Sequence, residues 1–192
     1  MAQIQSICVY CGSSPGHNPL YIKAAEQLGA AFARNHIRLV YGGGTKGLMG
    51  AVARGVKANG GAVTGIIPHF LLNKEAAEEE LALVDDLIVT ENMHERKRRM
   101  FEQSDAFVTL PGGIGTLEEI AEMMTWAQLG HHVKPLVYAN INGFWNPVLT
   151  LFDHMKAEGF IHSATRVKPL VIDMVEDIVP QIVTAVQTNS NA

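Results

Sequence analysis

Three stretches of this chain combine residue types that can do chemistry. The first is Pro111-Gly112-Gly113-Ile114-Gly115-Thr116-Leu117-Glu118-Glu119, which joins glycines, a hydroxyl and two carboxylates. The second is Tyr41-Gly42-Gly43-Gly44-Thr45-Lys46-Gly47-Leu48-Met49-Gly50. The third, Asn92-Met93-His94-Glu95-Arg96-Lys97-Arg98-Arg99-Met100, is the densest charge cluster in the sequence. Glycine lets the backbone approach a ligand closely, so several N–H groups can point into one concavity. Placed before a helix, such a loop suits a phosphate. Arginine adds a planar fork for phosphate or carboxylate. Two glycine-rich loops beside one basic segment therefore point to a nucleotide or phosphosugar. A local reading competes at one point: Thr116-Leu117-Glu118-Glu119 fits a capping box, with Thr116 as N-cap and Glu119 at the third helical position.

Several familiar motifs are absent. Gly42 to Gly50 lacks the order of a Walker loop. Neither loop has a clean G-x-G-x-x-G with a following acidic residue, so ordinary dinucleotide binding is disfavoured. Cys8-Val9-Tyr10-Cys11 has redox spacing, but Cys8 falls inside the first predicted strand rather than at a helix start. Two cysteines cannot supply a zinc site, and the adjacent His131 and His132 read as a surface turn. No metal is expected. His94 stays a candidate beside Arg96, its plain role being hydrogen bonding at a helix end. No pyridoxal phosphate is expected either. That chemistry needs a Schiff-base lysine with an acidic partner, and Lys46, the one lysine in a glycine loop, reads as exposed.

The elements that must position these loops follow from apolar runs. Such runs occur at 4–10, 37–41, 62–67, 86–90, 106–110, 135–139 and 169–172. Most are Val/Ile/Leu-rich without strict alternation, as in strands buried on both faces. Helix candidates lie between them at 20–34, 47–59, 92–103, 116–129, 144–158 and 175–187. Interleaving of this kind requires crossovers. The expected fold is α/β, a Rossmann-like doubly wound parallel sheet of about seven strands with helices on both faces. Its ligand site lies outside the carboxyl ends of the strands, where these loops sit. In the charged segment, Met93, Met100 and Phe101 are expected to face inward and Arg98 and Arg99 to face water. Residues 1–186 read as one domain, and 187–192 as a frayed tail.

Composition agrees. The chain has 192 residues, 47% of them hydrophobic and 18% charged, which excludes a disordered protein. No apolar run is long enough to span a bilayer, and the start lacks a secretory signal pattern. Net charge is −4, from 15 basic and 19 acidic residues, so polyanion binding across the surface is disfavoured and no nucleic-acid partner is expected. The paucity of cysteine suits a reducing compartment, the cytoplasm. Ten of the 18 glycines, Gly12, Gly16, Gly42, Gly43, Gly44, Gly47, Gly50, Gly112, Gly113 and Gly115, fall in the three loops that follow predicted strands.

Taken together, the motifs make the chain resemble the Lonely Guy family of cytokinin riboside 5′-monophosphate phosphoribohydrolases. The signature P-G-G-x-G-T-x-x-E is matched at Pro111 to Glu119, and M-H-x-R-K at Met93 to Lys97. Cys8-Val9-Tyr10-Cys11-Gly12-Ser13-Ser14, the Gly42 to Gly50 loop and Thr125-Trp126-Ala127-Gln128-Leu129-Gly130 match too. The likeness covers about residues 5 to 155.

The resemblance implies cleavage of the N-glycosidic bond of a nucleoside 5′-monophosphate, AMP or an N6-modified AMP, to free base and ribose 5-phosphate. It puts the catalytic residues at Arg96 and Glu119. Its substrate-binding positions fall on Gly43, Gly44, Met93, Lys97, Gly112, Gly113, Ile114, Gly115, Thr116, Leu117, Glu118 and Thr125. A further carboxylate falls on Glu75 or Glu78, in a stretch, 71–90, that runs longer than the plant pattern. No cofactor is implied. The chemistry is consistent, since breaking a ribosyl C–N bond develops positive charge that a carboxylate can stabilise. The alternative is a nucleotide- or phosphorylated-cofactor-binding protein of the same fold without turnover. An interaction protein has only the low charge fraction in its favour. The resemblance implies a homodimer with the Thr125–Gly130 helix near its interface, and the apolar surplus at Met123, Met124, Trp126, Phe144, Trp145 and Phe152 fits such an interface or, for some of them, ordinary core.

Overall fold

The computed structural model describes residues 4–75, 84–161 and 168–190, with side chains omitted at 73–75 and 189–190. Seven strands form one sheet: β1 (Ser6–Tyr10), β2 (Arg38–Tyr41), β3 (Val63–Pro68), β4 (Asp86–Thr90), β5 (Ala106–Thr109), β6 (Leu136–Ala139) and β7 (Leu170–Ile172). Seven α-helices connect or follow them: α1 (Pro19–Arg34), α2 (Gly47–Ala58), α3 (His69–Glu75), α4 (Met93–Glu102), α5 (Ile114–Gln128), α6 (Asn146–Ala157) and α7 (Val175–Ser190). Every strand pairing is parallel, in the order β4-β3-β2-β1-β5-β6-β7.

The alternation along β1 divides the interior. Ile7 and Val9 join the core beneath α1, α2 and α7, whereas Cys8 and Tyr10 join the core beneath α4, α5 and α6. Helices thus cover both faces, as the apolar runs demand. The edge strands β4 and β7 are less buried than the strands between them.

Strand order reverses at β1, between β2 and β5. That is the switch point of a doubly wound sheet, where loops diverge and leave a crevice. Backbone bonds tie the loops around it. Gly12 N donates to Pro111 O at 3.1 Å, and Leu48 N donates to Gly12 O at 3.0 Å. The loop after β1 is therefore fixed both to the loop after β5 and to the start of α2.

Four local expectations change. Helix α3 follows β3 directly and was not anticipated from the periodicity. Helix α5 begins at Ile114 with Gly113 as N-cap, so Thr116 lies inside the helix and forms no capping box with Glu119. His132 is buried rather than part of a surface turn, as Nε2 meets Met123 O at 2.9 Å and Nδ1 accepts from Lys134 N at 3.1 Å. Helix α7 continues to Ser190, so residues 187–190 of the expected tail are helical.

Candidate active site

The charged segment forms α4. Asn92 caps it through Oδ1, which accepts from Glu95 N at 2.9 Å, and Glu95 Oε2 accepts from Glu91 N at 3.0 Å. This start sets the faces. Met100 is buried, Met93 and Phe101 are half-buried, and Arg98 and Arg99 lie in water with Glu102 and Glu95 as ion-pair partners. His94 is exposed.

Arg96 turns inward from α4. Its Nε donates to Ile66 O at 3.2 Å and its Nη2 to Gly42 O at 3.4 Å. Those carbonyls belong to β3 and to the turn after β2, so the guanidinium is seated on strand ends. A β-carbon at position 42 would collide with that guanidinium, which explains glycine there. The remaining nitrogen, Nη1, lies 3.8 Å from Glu119 Oε1 and 3.8 Å from Met93 Sδ. At 3.8 Å the contact with Glu119 is an ion pair, longer than a hydrogen bond.

Glu119 projects from the second turn of α5. That helix starts without a side-chain cap, so its first-turn N–H groups lie at the loop, carrying the positive end of the helix dipole. Gly112 makes the turn possible. A β-carbon there would meet the Thr116 side chain, and would come within 2.9 Å of Gly12 N. Around Gly113 and Gly115, by contrast, added β-carbons would meet nothing within 4 Å, so bare backbone faces open space.

These groups surround a cavity of about 270 Å³ at the carboxyl end of β1. Gly113, Gly115, Thr116, Glu118 and Glu119 line it from α5, and Met93, Arg96 and Met100 from α4. Gly12 and Ser13, Gly42 and Met49, and Leu71 of α3 complete much of the wall. A smaller apolar cleft of about 140 Å³ adjoins it through Gly12 and Gly113, walled in part by Tyr21 and Phe144.

Not every expected residue lines this cavity. Gly43 and Gly44 are buried behind Gly42, Ile114 points to solvent and Leu117 packs toward the α5 core. Gly112 borders the smaller cleft. Thr125 is exposed and bonds its own helix at Ala121 O, 2.8 Å away. Lys97 is buried with its Nζ 2.6 Å from Glu118 Oε1 and 3.1 Å from Glu122 Oε2. Burial pulls its proton affinity down, but the hydrogen bonds it donates to Glu118 and Glu122, with their charges, outweigh this and hold it above the ordinary lysine value. The Glu75 side chain and all of Glu78 lie outside the described residues.

Sequence reasoning missed Leu71, whose short helix has no cap or period to announce it, and Met49, which the glycines around it overshadowed. Cys11 in the cavity wall and Cys8 behind it are free and buried. Burial, and then the Glu119 charge, push both thiols well above the ordinary range, which leaves them protonated and weakly reactive. No group of three or more His, Cys, Asp or Glu able to hold a metal occurs among the described residues.

A family model described as possible lysine decarboxylase matches residues 49–182. A probable cytokinin riboside 5′-monophosphate phosphoribohydrolase of Oryza sativa subsp. japonica is 48% identical over 160 residues, 83% of this chain and 70% of its own length. A cytokinin riboside 5′-monophosphate phosphoribohydrolase of Rhodococcoides fascians is 44% identical over 179 residues, 93% of this chain and 89% of its own. Among solved structures, the molybdenum cofactor binding protein of Rippkaea orientalis superposes with a TM-score of 0.71 at 22% identity, covering 97% of this chain and 99% of that one. At that identity the likeness concerns the fold.

Proposed function

The chain belongs to the Lonely Guy family, the proteins behind that possible-lysine-decarboxylase model, and we propose that it is a phosphoribohydrolase acting on a nucleoside 5′-monophosphate. The observation that carries this reading is the buried pair of Arg96 and Glu119 in the wall of a cavity that the uncapped start of α5 also lines. A cradle alone would serve a binding protein. A carboxylate held beside it, one and a half turns along the same helix, serves bond cleavage.

In this reading the 5′-phosphate sits at the N–H groups of residues 113–116, where the helix dipole favours an anion. From Ile114 to Glu119 the helix rises about 7.5 Å. That spacing suits a ribose bridging from its phosphate to its anomeric carbon. Departure of the base breaks the C1′–N bond, and the bonding electrons leave with the base. The positive charge that develops at C1′ faces the Glu119 carboxylate. Glu119 also orients a water and accepts its proton as the oxygen bonds to C1′. The departing base takes up a proton from solvent and Glu119 returns to solvent the one it accepted, so one water is consumed and the products are free base and ribose 5-phosphate. Arg96, anchored on Ile66 O and Gly42 O, keeps Glu119 charged and in place. Phosphate binding remote from the bond then fixes the reacting geometry.

The decarboxylase description of the family model does not fit this cavity. A pyridoxal phosphate enzyme needs a lysine for the Schiff base, and no lysine lines the cavity among the described residues. Lys97 is committed to two carboxylates and Lys46 is exposed.

The same reading includes a homodimer. Ile114 and Leu129 at the two ends of α5 are 84% and 69% exposed, and Phe160 beyond α6 is 80% exposed. Large apolar side chains at such exposure mark a surface that another copy can cover. Buried free thiols at Cys8 and Cys11 suit a reducing, cytoplasmic compartment, and no helix among the described residues is long and apolar enough to cross a membrane.

The test is incubation with AMP and with N6-isopentenyl-AMP, followed by chromatography. Release of adenine or its N6-modified form with ribose 5-phosphate supports the reading. Nucleotide that binds and is recovered unchanged overturns it in favour of a binding protein.

A further inference from the structure

Lys97 stands next to Arg96 on α4 and is as buried, yet it does not line the cavity. Its Nζ reaches Glu118 Oε1 at 2.6 Å and Glu122 Oε2 at 3.1 Å. Those two acids lie one helical turn apart on α5, with Glu119 next to Glu118. Successive cations of α4 therefore meet successive acids of α5, Arg96 facing Glu119 and Lys97 facing Glu118.

The electrostatic consequence follows from counting charges. Glu118, Glu119 and Glu122 crowd little more than one turn of helix, and like charges raise one another's proton affinity. Several other groups face Glu119 among the described residues. Arg96 does so from α4, and Cys8, Tyr10 and Cys11 from β1 and the loop after it. Burial keeps those thiols and that phenol neutral. Three carboxylates within little more than one turn of α5 thus meet two cations of α4, and Lys97 is the cation seated against Glu118 and Glu122.

We propose that Lys97 is a positioning residue that offsets Glu118 and Glu122 and pins α5 to α4, so that Glu119 stays ionised and directed beside Arg96 without Lys97 touching substrate. The role assigned to Glu119 rests on the hydrolase reading; the electrostatic hold of Lys97 on it does not.

The experiment compares wild type with Lys97→Met, Lys97→Arg, Glu122→Gln and the Lys97→Met/Glu122→Gln double variant. Two readouts are taken: the pH profile of kcat/KM on AMP, and the carboxyl titration of Glu119 by ¹³C NMR, assigned by its loss in Glu119→Gln. Removing the lysine charge is expected to move both the acid limb and the Glu119 titration upward by about one pH unit. Turnover should fall about tenfold while KM changes less than about threefold, the pattern of lost positioning. Lys97→Arg should hold both readouts near wild type. Glu122→Gln alone should move them downward, and the double variant should return them part way. If Lys97→Met does not fold, the Glu122→Gln arm decides by the direction of its shift. Unmoved titrations in Lys97→Met and Glu122→Gln, with a raised KM in the former, overturn the proposal and make Lys97 a substrate contact. A wild type that cleaves no nucleotide counts against the hydrolase reading, while the NMR titration still decides the role of Lys97.

Discussion

Arg96 Nη1 and Glu119 Oε1 lie 3.8 Å apart in a pair whose side chains are only 8% and 11% exposed. Two charges that deep are costly unless each is held by further partners. Arg96 is held by Ile66 O and Gly42 O as well as by Glu119. Arg96→Met removes the ion-pair partner of the buried carboxylate and vacates the seat on the strand ends. A loss of about 3–5 kcal/mol is expected, the usual cost of breaking a buried ion pair from one side. Denaturant unfolding beside wild type measures it, and a loss below about 1 kcal/mol would mean that the seat is not needed for the fold.

Gly115 offers a separation of stability from binding. A β-carbon there meets nothing within 4 Å. Helical alanine is better than glycine by roughly 0.5–1 kcal/mol, so Gly115→Ala should melt at or above the wild-type temperature. The added methyl enters the space given to the phosphate, so KM for AMP should rise at least about tenfold. A lowered melting temperature with unchanged KM would put the phosphate elsewhere.

Gly42→Ala should behave differently. Its β-carbon would occupy the position of the Arg96 guanidinium. The variant is expected to lose both stability and turnover, because the arginine must leave its seat or the turn must shift. A thermal melt and an initial-rate assay on one preparation check both.

Acid stability should report His132. Burial, its largest cause, holds the His132 value below the ordinary one, with the neighbouring Lys134 and His131 charges adding to this against the Met123 hydrogen bond. The folded protein thus binds this proton less readily than the unfolded chain, and stability falls as pH drops below about 6.5. Protonation would also turn Nδ1, which accepts from Lys134 N, into a donor. Melting temperature from pH 8 down to pH 5 should decline in wild type and decline less in His132→Gln. Parallel curves for the two proteins would remove His132 from the account.

Light scattering at micromolar concentration should give twice the 20.9 kDa chain mass. Substituting Leu129, 69% exposed at the end of α5, with Glu should weaken the assembly and leave the fold intact. A monomeric wild type would leave that apolar surface without the proposed cover.

Much of this was legible in the sequence for a physical reason. Strands buried on both faces, such as Val63–Pro68, are short, mostly apolar runs without polar alternation, set off here by the longer helical stretches between them. The glycine loops announced close backbone approach, and Gly42 against Arg96 shows what approached. What failed was local pattern matching. Thr116 and Glu119 satisfy the spacing of a capping box, but helix α5 starts earlier because Gly113 lets bare N–H groups face the cavity. His131 and His132 look like a polar turn, yet the chain after α5 folds His132 back under Phe101 and Phe107. For Lys97, motif spacing carries no information on which neighbouring acids meet its charge. Only the packing of α4 on α5 brings Glu118 and Glu122 to it.

The most direct measurement is the rate of base release from AMP and N6-isopentenyl-AMP by wild type and by Glu119→Gln, with a melting curve for each. Glu119 caps no helix and Arg96 keeps its seat on Ile66 O and Gly42 O without it, so the amide should still fold. Wild type should yield free base and ribose 5-phosphate, and Glu119→Gln should be slower by roughly 10²–10⁴-fold. A folded Glu119→Gln protein that releases base at the wild-type rate would contradict the account.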